Sequence, residues 1–448
     1  MRLAVIGAGW AGLSAAVEAT RVGHHATVFE GSTVLGGRAR TVPGALPDGT
    51  PVALDNGQHI LIGAYSETLR LMGFVGADVL HGLLRLPLTM RFPDGQGVAF
   101  PHGPSSLAAI WGICSARGWS APDKLSLLHA AAGWQMRGFI CASDVTVTGL
   151  CVSIHPRVMT ELIEPLCVSA LNTPAHRASG QVFLRVMRDA LFGAKGSSNL
   201  LLPRQDLTRL FPQPAAAWLM AHGGAVRMAT RVQTLGRLPG QNGWVIDGEP
   251  FDHVVLATSS SNAIQAVKGY EKYATNRIAI MMRDWIATAQ ALRFESITTV
   301  YGYAKGARLP HPMLLLRSAG ADASDARSGN PHPAHPAHPA QFVFDRGQLG
   351  GQIGLIAFVV SASKGERDEL EAAVLDQARV QLGLSLERVQ TVVEKRATFA
   401  CTPGMRRPSM QIAPGLSACG DYCEGPYPAT LEGAVRSALA VVDSLGKP

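Results

Sequence analysis

Six residues near the amino terminus, Gly7-Ala8-Gly9-Trp10-Ala11-Gly12, have the types and spacing to cradle a pyrophosphate. Gly7 permits a tight turn, Gly9 lets backbone approach the phosphates, and Gly12 lets a helix pack close to a strand. Such a pattern carries meaning only between a strand and a helix, and the flanking residues supply both. The apolar run over 2–6 reads as a buried strand, 11–22 as a helix with Gly23 as its C-cap, and 26–29 as a second strand. The helix would turn its first N–H groups, around Trp10 and Ala11, and its partial positive charge toward the phosphates. Glu30 ends the second strand, eighteen positions past Gly12, where a carboxylate can accept hydrogen bonds from an adenosine ribose.

Two more segments extend the site beyond what a nicotinamide cofactor needs. Gly36-Gly37-Arg38-Ala39-Arg40-Thr41 follows Glu30 closely. Its glycines allow close passage and its Arg38 guanidinium can neutralise a pyrophosphate. Near the carboxyl end, Leu416-Ser417-Ala418-Cys419-Gly420-Asp421 reads as a short strand ending at Gly420, with Asp421 placed for a ribityl or pyrophosphate group. A helix from about Thr430 and Leu431 would aim its N-terminus at a flavin pyrimidine edge, stabilising the reduced anion. These parts together fit one extended, non-covalently held FAD.

The glycine pattern with Glu30, the GGRxxT run and the terminal GD…PATLEGAV resemble the FAD-dependent amine oxidase/phytoene desaturase superfamily. The resemblance implies an α/β fold: a Rossmann-like FAD-binding domain of the glutathione reductase/amine oxidase type with an inserted α+β substrate domain. It also implies that 223–232 is the adenine-binding strand, with Val232 contacting adenine through its backbone. Leu54-Asp55-Asn56-Gly57-Gln58-His59-Ile60-Leu61, the Pro165–Pro174 stretch and Tyr427–Ser437 are similar to hydroxysqualene dehydroxylases, the squalene-associated FAD-dependent desaturases of hopanoid biosynthesis. That family places Asn56, Gly57, Gln58 and His59 beside the flavin ring. It implies reductive removal of the hydroxyl of a long isoprenoid alcohol, hydroxysqualene, to give squalene. Such chemistry needs an apolar, water-free tunnel and one general acid, for which His59, Tyr427 and Glu424 are the candidates.

Other readings stay open: desaturation of a carotenoid precursor, oxidation of an amine, or a prenyl-lipid carrier without catalysis, as in the GDP-dissociation inhibitors. Amine oxidases place two aromatics at the flavin face, whereas this chain has Tyr427 and Thr430 there. A carrier that has lost FAD would not keep every part of the fingerprint. Cys401 and Cys419 stand where small non-thiol residues are usual, and the distance of Cys401 from Gly420 does not match a covalent flavin link.

The elements expected to position these groups divide discontinuously. Residues 1–82, 200–260 and 395–448 read as the FAD-binding part, and 83–199 with 261–394 as the substrate part. Within the first, 54–65 reads as glycine-punctuated loop and short helix. Short strands are expected over 83–100, helices over 156–169 and 179–192 in a mainly helical 105–192, a single helix over 263–285, and another over 367–382. The run SGNPHPAHPAHPA (328–340) reads as a mobile loop; its His332, His335 and His338 lack the partners of a metal site.

At 448 residues and 47% hydrophobic, the chain can build a large core and an apolar cavity besides. Its longest uncharged apolar run, over 353–362, is about half the length of a membrane span. Trp111, Trp119 and Trp134 among Leu, Ile and Ala, with Arg117, Lys124 and Arg137, instead suggest peripheral contact with a bilayer or a cap over the cavity. The net charge of +7 is mild, and no basic cluster with interleaved aromatics points to nucleic acid. Seven cysteines without a C-x-x-C fit a reducing cytoplasm, with the inner membrane face a further option. The apolar amino terminus reads as a mature strand rather than a signal peptide, since cleavage would destroy the glycine fingerprint. No second nucleotide fingerprint identifies the electron donor, so NAD(P)H and a partner reductase remain alternatives.

Overall fold

The structure, a computed structural model, describes residues 1–103, 105–238, 243–318 and 338–446. His332, His335 and most of the proline-rich run therefore lie outside the described residues.

The strand–turn–helix–strand unit is formed by Arg2–Ile6, Trp10–Arg21 and His25–Phe29. Arg2–Ile6 pairs in parallel with His25–Phe29 on one side and His253–Leu256 on the other. Ala225–Arg227 and Leu416–Ala418 extend the sheet in parallel, and Gln411–Ala413 closes one edge antiparallel. Strands from the start, middle and end of the chain thus make one six-stranded sheet of a Rossmann-like α/β fold.

Alternate residues of these strands enter different cores. Leu3, Val5, Val28 and Val255 pack with Leu13 and Val17 of the first helix and with Val435, Ala438 and Val442 of the terminal helix Leu431–Leu445. Ala4, Phe29, Val254 and Leu256 face the other way, toward Trp244 and Phe251. Both faces are covered, which is why these strands read as unbroken apolar runs.

A second, antiparallel sheet has the order Met313–Leu315, Phe342–Asp345, Leu355–Ser361, Phe294–Tyr303, Glu387–Phe399. Its alternation is equally regular. Val343, Ile356, Phe358 and Val360 pack beneath Leu370, Val374 and Ala378 of the helix Arg367–Leu382. Phe342, Phe344 and Val359 face a large cavity on the opposite side. Helices Ser105–Cys114, Ala121–Met136 and Gly180–Leu191 roof that cavity. Ser120 and Asp123 form a capping box that starts Ala121–Met136.

The helical run that includes the Pro165–Pro174 motif passes through a π-helical turn at Met159–Ile163, where Leu162 and Ile163 meet the cavity. It ends at Asn172, which adopts a left-handed conformation (φ 43°). The Asn172 carboxamide accepts from Ala362 N at 2.7 Å and donates to Thr398 Oγ1 at 3.0 Å, tying the helix to the second sheet.

Three local expectations need correction. The single helix over 263–285 is two, Ser260–Glu271 and Asn276–Gln290, the second starting after Thr275 in extended conformation. No Pro or Gly marks the break, which exposes Lys272 and Tyr273 to the cavity. No helix forms within 54–65; strands Pro51–Asp55 and Leu61–Ile62 precede a helix at Ser66–Phe74. The strand over 223–232 stops at Arg227.

Candidate active site

One continuous cavity of about 1330 Å³ joins the glycine-rich end of the first sheet to the chamber between the second sheet and the helices. Of the residues singled out from the sequence, Gly7, Gly9, Trp10, Ala11, Glu30, Gly37, Arg38, Asn56, Gly57, Gln58, Val232, Gly420, Asp421, Thr430 and Leu431 line it, as do His59 and Tyr427. Gly12 lies behind the wall; an added Cβ there would overlap the Gly7 carbonyl oxygen and stand 3.0 Å from Ala257 Cβ. Glu424 is exposed on a separate surface recess with Arg407 and Pro408, so it cannot serve a reaction in this cavity. The turn carrying it is held the other way: its backbone N donates to Pro408 O at 2.9 Å, and Arg407 Nη1 donates to Cys423 O at 2.6 Å.

The dinucleotide end fits an extended FAD. A Cβ on Gly9 would find only Gly37 Cα at 3.9 Å and Gly36 O at 4.0 Å, so the space beside it belongs to the cavity. Gly9 caps the first helix with no side-chain hydrogen bond, leaving its N-terminus to an anion. Glu30 is held by Ala8 N at 2.7 Å and Ser32 N at 2.8 Å, each on one oxygen, with lone pairs to spare. Thr430 N-caps the terminal helix by accepting from Gly433 N at 2.9 Å, and that helix end also meets the cavity.

Arg38 and Asp421, expected to serve the cofactor separately, are joined directly. The guanidinium donates to Asp421 Oδ1 and, at 2.6 Å, to Ala397 O. Burial alone would favour losing the Arg38 proton, and the Asp421 carboxylate more than reverses this, so its pKa is raised. Asn56 is a clamp: its Nδ2 donates to Arg38 O at 2.6 Å and its Oδ1 accepts from Arg40 N at 3.0 Å. Cys401 is buried away from the cavity wall, and burial pushes its thiol up to about 12.

The three proton-donor candidates part company. Burial, reinforced by Arg38, pushes the His59 imidazole down to about 4, so it is neutral at pH 7. Burial and then the nearby Asp189 carboxylate raise Tyr427, whose phenol keeps its proton. Asp189 escaped the sequence reading because it is one acid on the polar stripe of an ordinary amphipathic helix, Gly180–Leu191. Its Oδ1 accepts from Arg188 Nε at 2.9 Å, while its Oδ2 is buried with no hydrogen-bond partner. Tyr65 was missed as well; it lines the cavity and burial raises its pKa.

The histidines give the fold an acid limit. His253, half-buried and hydrogen-bonded to Ser417, is pushed down by desolvation to about 4 like His59. Above their ordinary value of 6.5 both rings are neutral whether folded or not. As pH falls from 6.5 toward 4 only the unfolded chain takes up these protons, so stability is lost across that window. Asp55, which burial raises to about 6, acts with the opposite sign between 6 and 3.8 and offsets part of the loss. Thermal melts from pH 7.5 to pH 4 should show a shallower decline for His59→Asn than for the wild type; equal slopes would remove His59 from this account.

Comparison with known proteins places the chain. Residues 10–445 match the family described as flavin containing amine oxidoreductase, and the chain belongs to that family. It is an FAD-dependent oxidoreductase. Along its whole length it is similar to hydroxysqualene dehydroxylases: 24% identical to that of Zymomonas mobilis, covering 98% of this chain and 97% of that one. It is 26% identical to that of Rhodopseudomonas palustris with the same coverage. Among solved structures, an oxidoreductase from Methanosarcina mazei shares the fold with a TM-score of 0.69 at 16% identity, covering 99% of this chain and 100% of that one.

Proposed function

We propose that the protein removes the hydroxyl of hydroxysqualene reductively, giving squalene for hopanoid synthesis. The observation that carries this reading is the continuity of the FAD cradle with a chamber walled by Phe100, Ile113, Trp134, Phe139, Phe342 and Phe344. Such a chamber suits a long hydrocarbon with one oxygen, and full-length similarity to hydroxysqualene dehydroxylases supports it. Residues 1–82, 200–260 and 395–448 would hold FAD, and the remainder would hold the isoprenoid.

Bound and reduced, FAD supplies a hydride to the carbon that loses its oxygen. The chain does the rest. The apolar walls exclude water, which would otherwise capture a cationic carbon. Tyr427 Oη, protonated at neutral pH and lying in the wall, gives its proton to the departing hydroxyl, which leaves as water. His59, neutral beside Arg38, adds no positive charge near a developing cation.

The substrate would enter from a bilayer at the inner face of the cytoplasmic membrane. Leu107 (65% exposed), Ile110 and Trp111 (67% exposed) form an outward apolar stripe on Ser105–Cys114, while Ala109 and Ile113 of the same helix line the cavity. Trp119 and Trp134, expected to share that role, are buried: Trp119 donates to Glu161 at 2.8 Å and Trp134 packs edge-on to Phe183. Arg117 follows that helix along the chain and Arg137 ends the next one, and both are exposed cations. Among the described residues no helix is long and apolar enough to cross a membrane.

The deciding experiment incubates FAD-loaded, chemically reduced enzyme anaerobically with hydroxysqualene, then extracts for squalene. Squalene is the expected product, and Trp111→Glu should slow turnover of vesicle-borne but not detergent-dispersed substrate. No squalene, with turnover of phytoene or an amine under air, would overturn the reading.

A further inference from the structure

Two aromatic residues stand where the chamber meets the outside. Phe192 C-caps the helix Gly180–Leu191, and it lines the cavity while remaining 40% exposed. Phe139 lines the same cavity and is 7% exposed. Their ring centroids lie 5.1 Å apart with the planes tilted by 53°, a packed aromatic pair. Among the described residues of 107–200 that line the cavity, two are exposed, Phe192 and Ser169. Ser169 is small and polar, and its hydroxyl donates to Leu166 O at 3.0 Å. Phe192 is the apolar one, and the chain neighbours of its partner Phe139 include Met136 and Ile140, both strongly exposed.

The two rings are held differently. Gly138 and Phe139 both take left-handed backbone (φ 63° and 59°), which for a bulky side chain is an outlier. Three hydrogen bonds impose it. Phe139 N donates to Trp134 O at 2.8 Å, Gln181 Nε2 to Phe139 O at 3.1 Å, and Cys141 N to Gln181 Oε1 at 3.0 Å. A strained residue persists only where its surroundings over-determine it, and such positions cluster at ligand sites. Phe192 instead ends its helix through one backbone bond, N to Arg188 O at 2.8 Å, with Gly193 following. Its side chain can turn toward solvent without breaking a hydrogen bond.

We propose that the Phe139–Phe192 pair is the port through which the isoprenoid chain enters the chamber, with Phe139 the fixed side and Phe192 the side that swings. This rests on the dehydroxylase reading above, and it adds the route by which a long hydrocarbon reaches a water-free site. Met136 and Ile140 give the chain apolar surface before it passes between the rings. Each ring then exchanges its aromatic partner for hydrocarbon, so passage trades one apolar contact for another. Reclosure behind the chain shuts out water, which the chemistry requires. Such a port sets how fast the ligand enters and leaves, not how tightly it is held, because the same opening is crossed in both directions.

The test measures association and dissociation of squalene, delivered from cyclodextrin, with the oxidised, FAD-loaded full chain by stopped-flow flavin absorption. Phe192→Ala should raise both rates roughly tenfold and Phe192→Trp should lower both, with Kd within about twofold of wild type in each. Phe192→Leu, a milder truncation, should move both rates in the same direction as Phe192→Ala and by less. Ser169→Trp, which narrows the other exposed point of the wall, should change neither rate.

The inference is overturned if the Phe192 variants leave both rates unchanged, or if Ser169→Trp slows entry in their place. It is also overturned if Kd shifts with the dissociation rate alone, as for a residue that merely walls the bound ligand. Rates that respond to Phe192 as expected, in an enzyme that makes no squalene from hydroxysqualene, would sink the dehydroxylase reading and leave the port standing. Squalene formed with rates indifferent to Phe192 would sink the port and leave that reading. A wild type that takes up no squalene overturns both.

Discussion

Gly12→Val is expected to yield colourless protein. The valine Cβ would overlap the Gly7 carbonyl oxygen and press on Ala257, and both contacts are part of the strand–helix junction itself. Relief requires the first helix to move off the sheet, which shifts the N–H groups that face the cavity. Overpacking of this kind costs about 1–3 kcal/mol or more, about ten- to a hundredfold in FAD affinity. Gly9→Ala is the informative control, because its Cβ enters the cavity rather than the protein. That variant should melt like wild type and still bind FAD more weakly. Flavin content after purification, together with thermal melts, reads both effects; a Gly12→Val protein with full flavin would contradict the assigned cradle.

The second large effect is expected at Arg38→Met. Asp421, 7% exposed, would keep its carboxylate and lose its main partner. Breaking a buried ion pair this way costs about 3–5 kcal/mol, and the lower end applies because 35% of the Arg38 side chain faces the cavity. The double variant Arg38→Met/Asp421→Asn should recover much of the loss, since it leaves no orphaned charge. Arg38→Met should also raise the His59 pKa from about 4, because Arg38 is the neighbouring charge that depresses it. Denaturant melts and a His59 titration check the two halves separately. An Arg38→Met protein as stable as the double variant would show that the pair contributes little.

The amino-terminal unit was legible because its signals are local. Gly7, Gly9 and Gly12 act within two turns of chain, and Glu30 follows at the spacing a strand–helix–strand unit imposes. The helix Arg367–Leu382 was legible to the residue because apolar periodicity and Gly383 bound it. The break at 272–275 was not, since Thr275 resembles many other threonines until its extended backbone is seen. The three tryptophans of 105–139 were equally alike in sequence, yet Trp111 faces outward while Trp119 and Trp134 are buried. Glu424 shares a motif with Tyr427 and still points elsewhere, because Arg407 and Pro408 hold that turn away from the cavity.

By itself, then, the sequence determined an FAD cradle, an α/β sheet and an apolar chamber, all written in spacing and period. Tertiary structure alone decided which groups in that chamber can act. Arg38 meets Asp421 across 383 positions, and Arg346 donates to Gln58 across 288. Asp189 bears on Tyr427 from the expected helix Gly180–Leu191, where nothing in the local residue pattern marks this acid as the one that meets the cavity. Pairings of this range depend on where two sheets and a layer of helices pack together, and no local pattern of residues encodes that meeting.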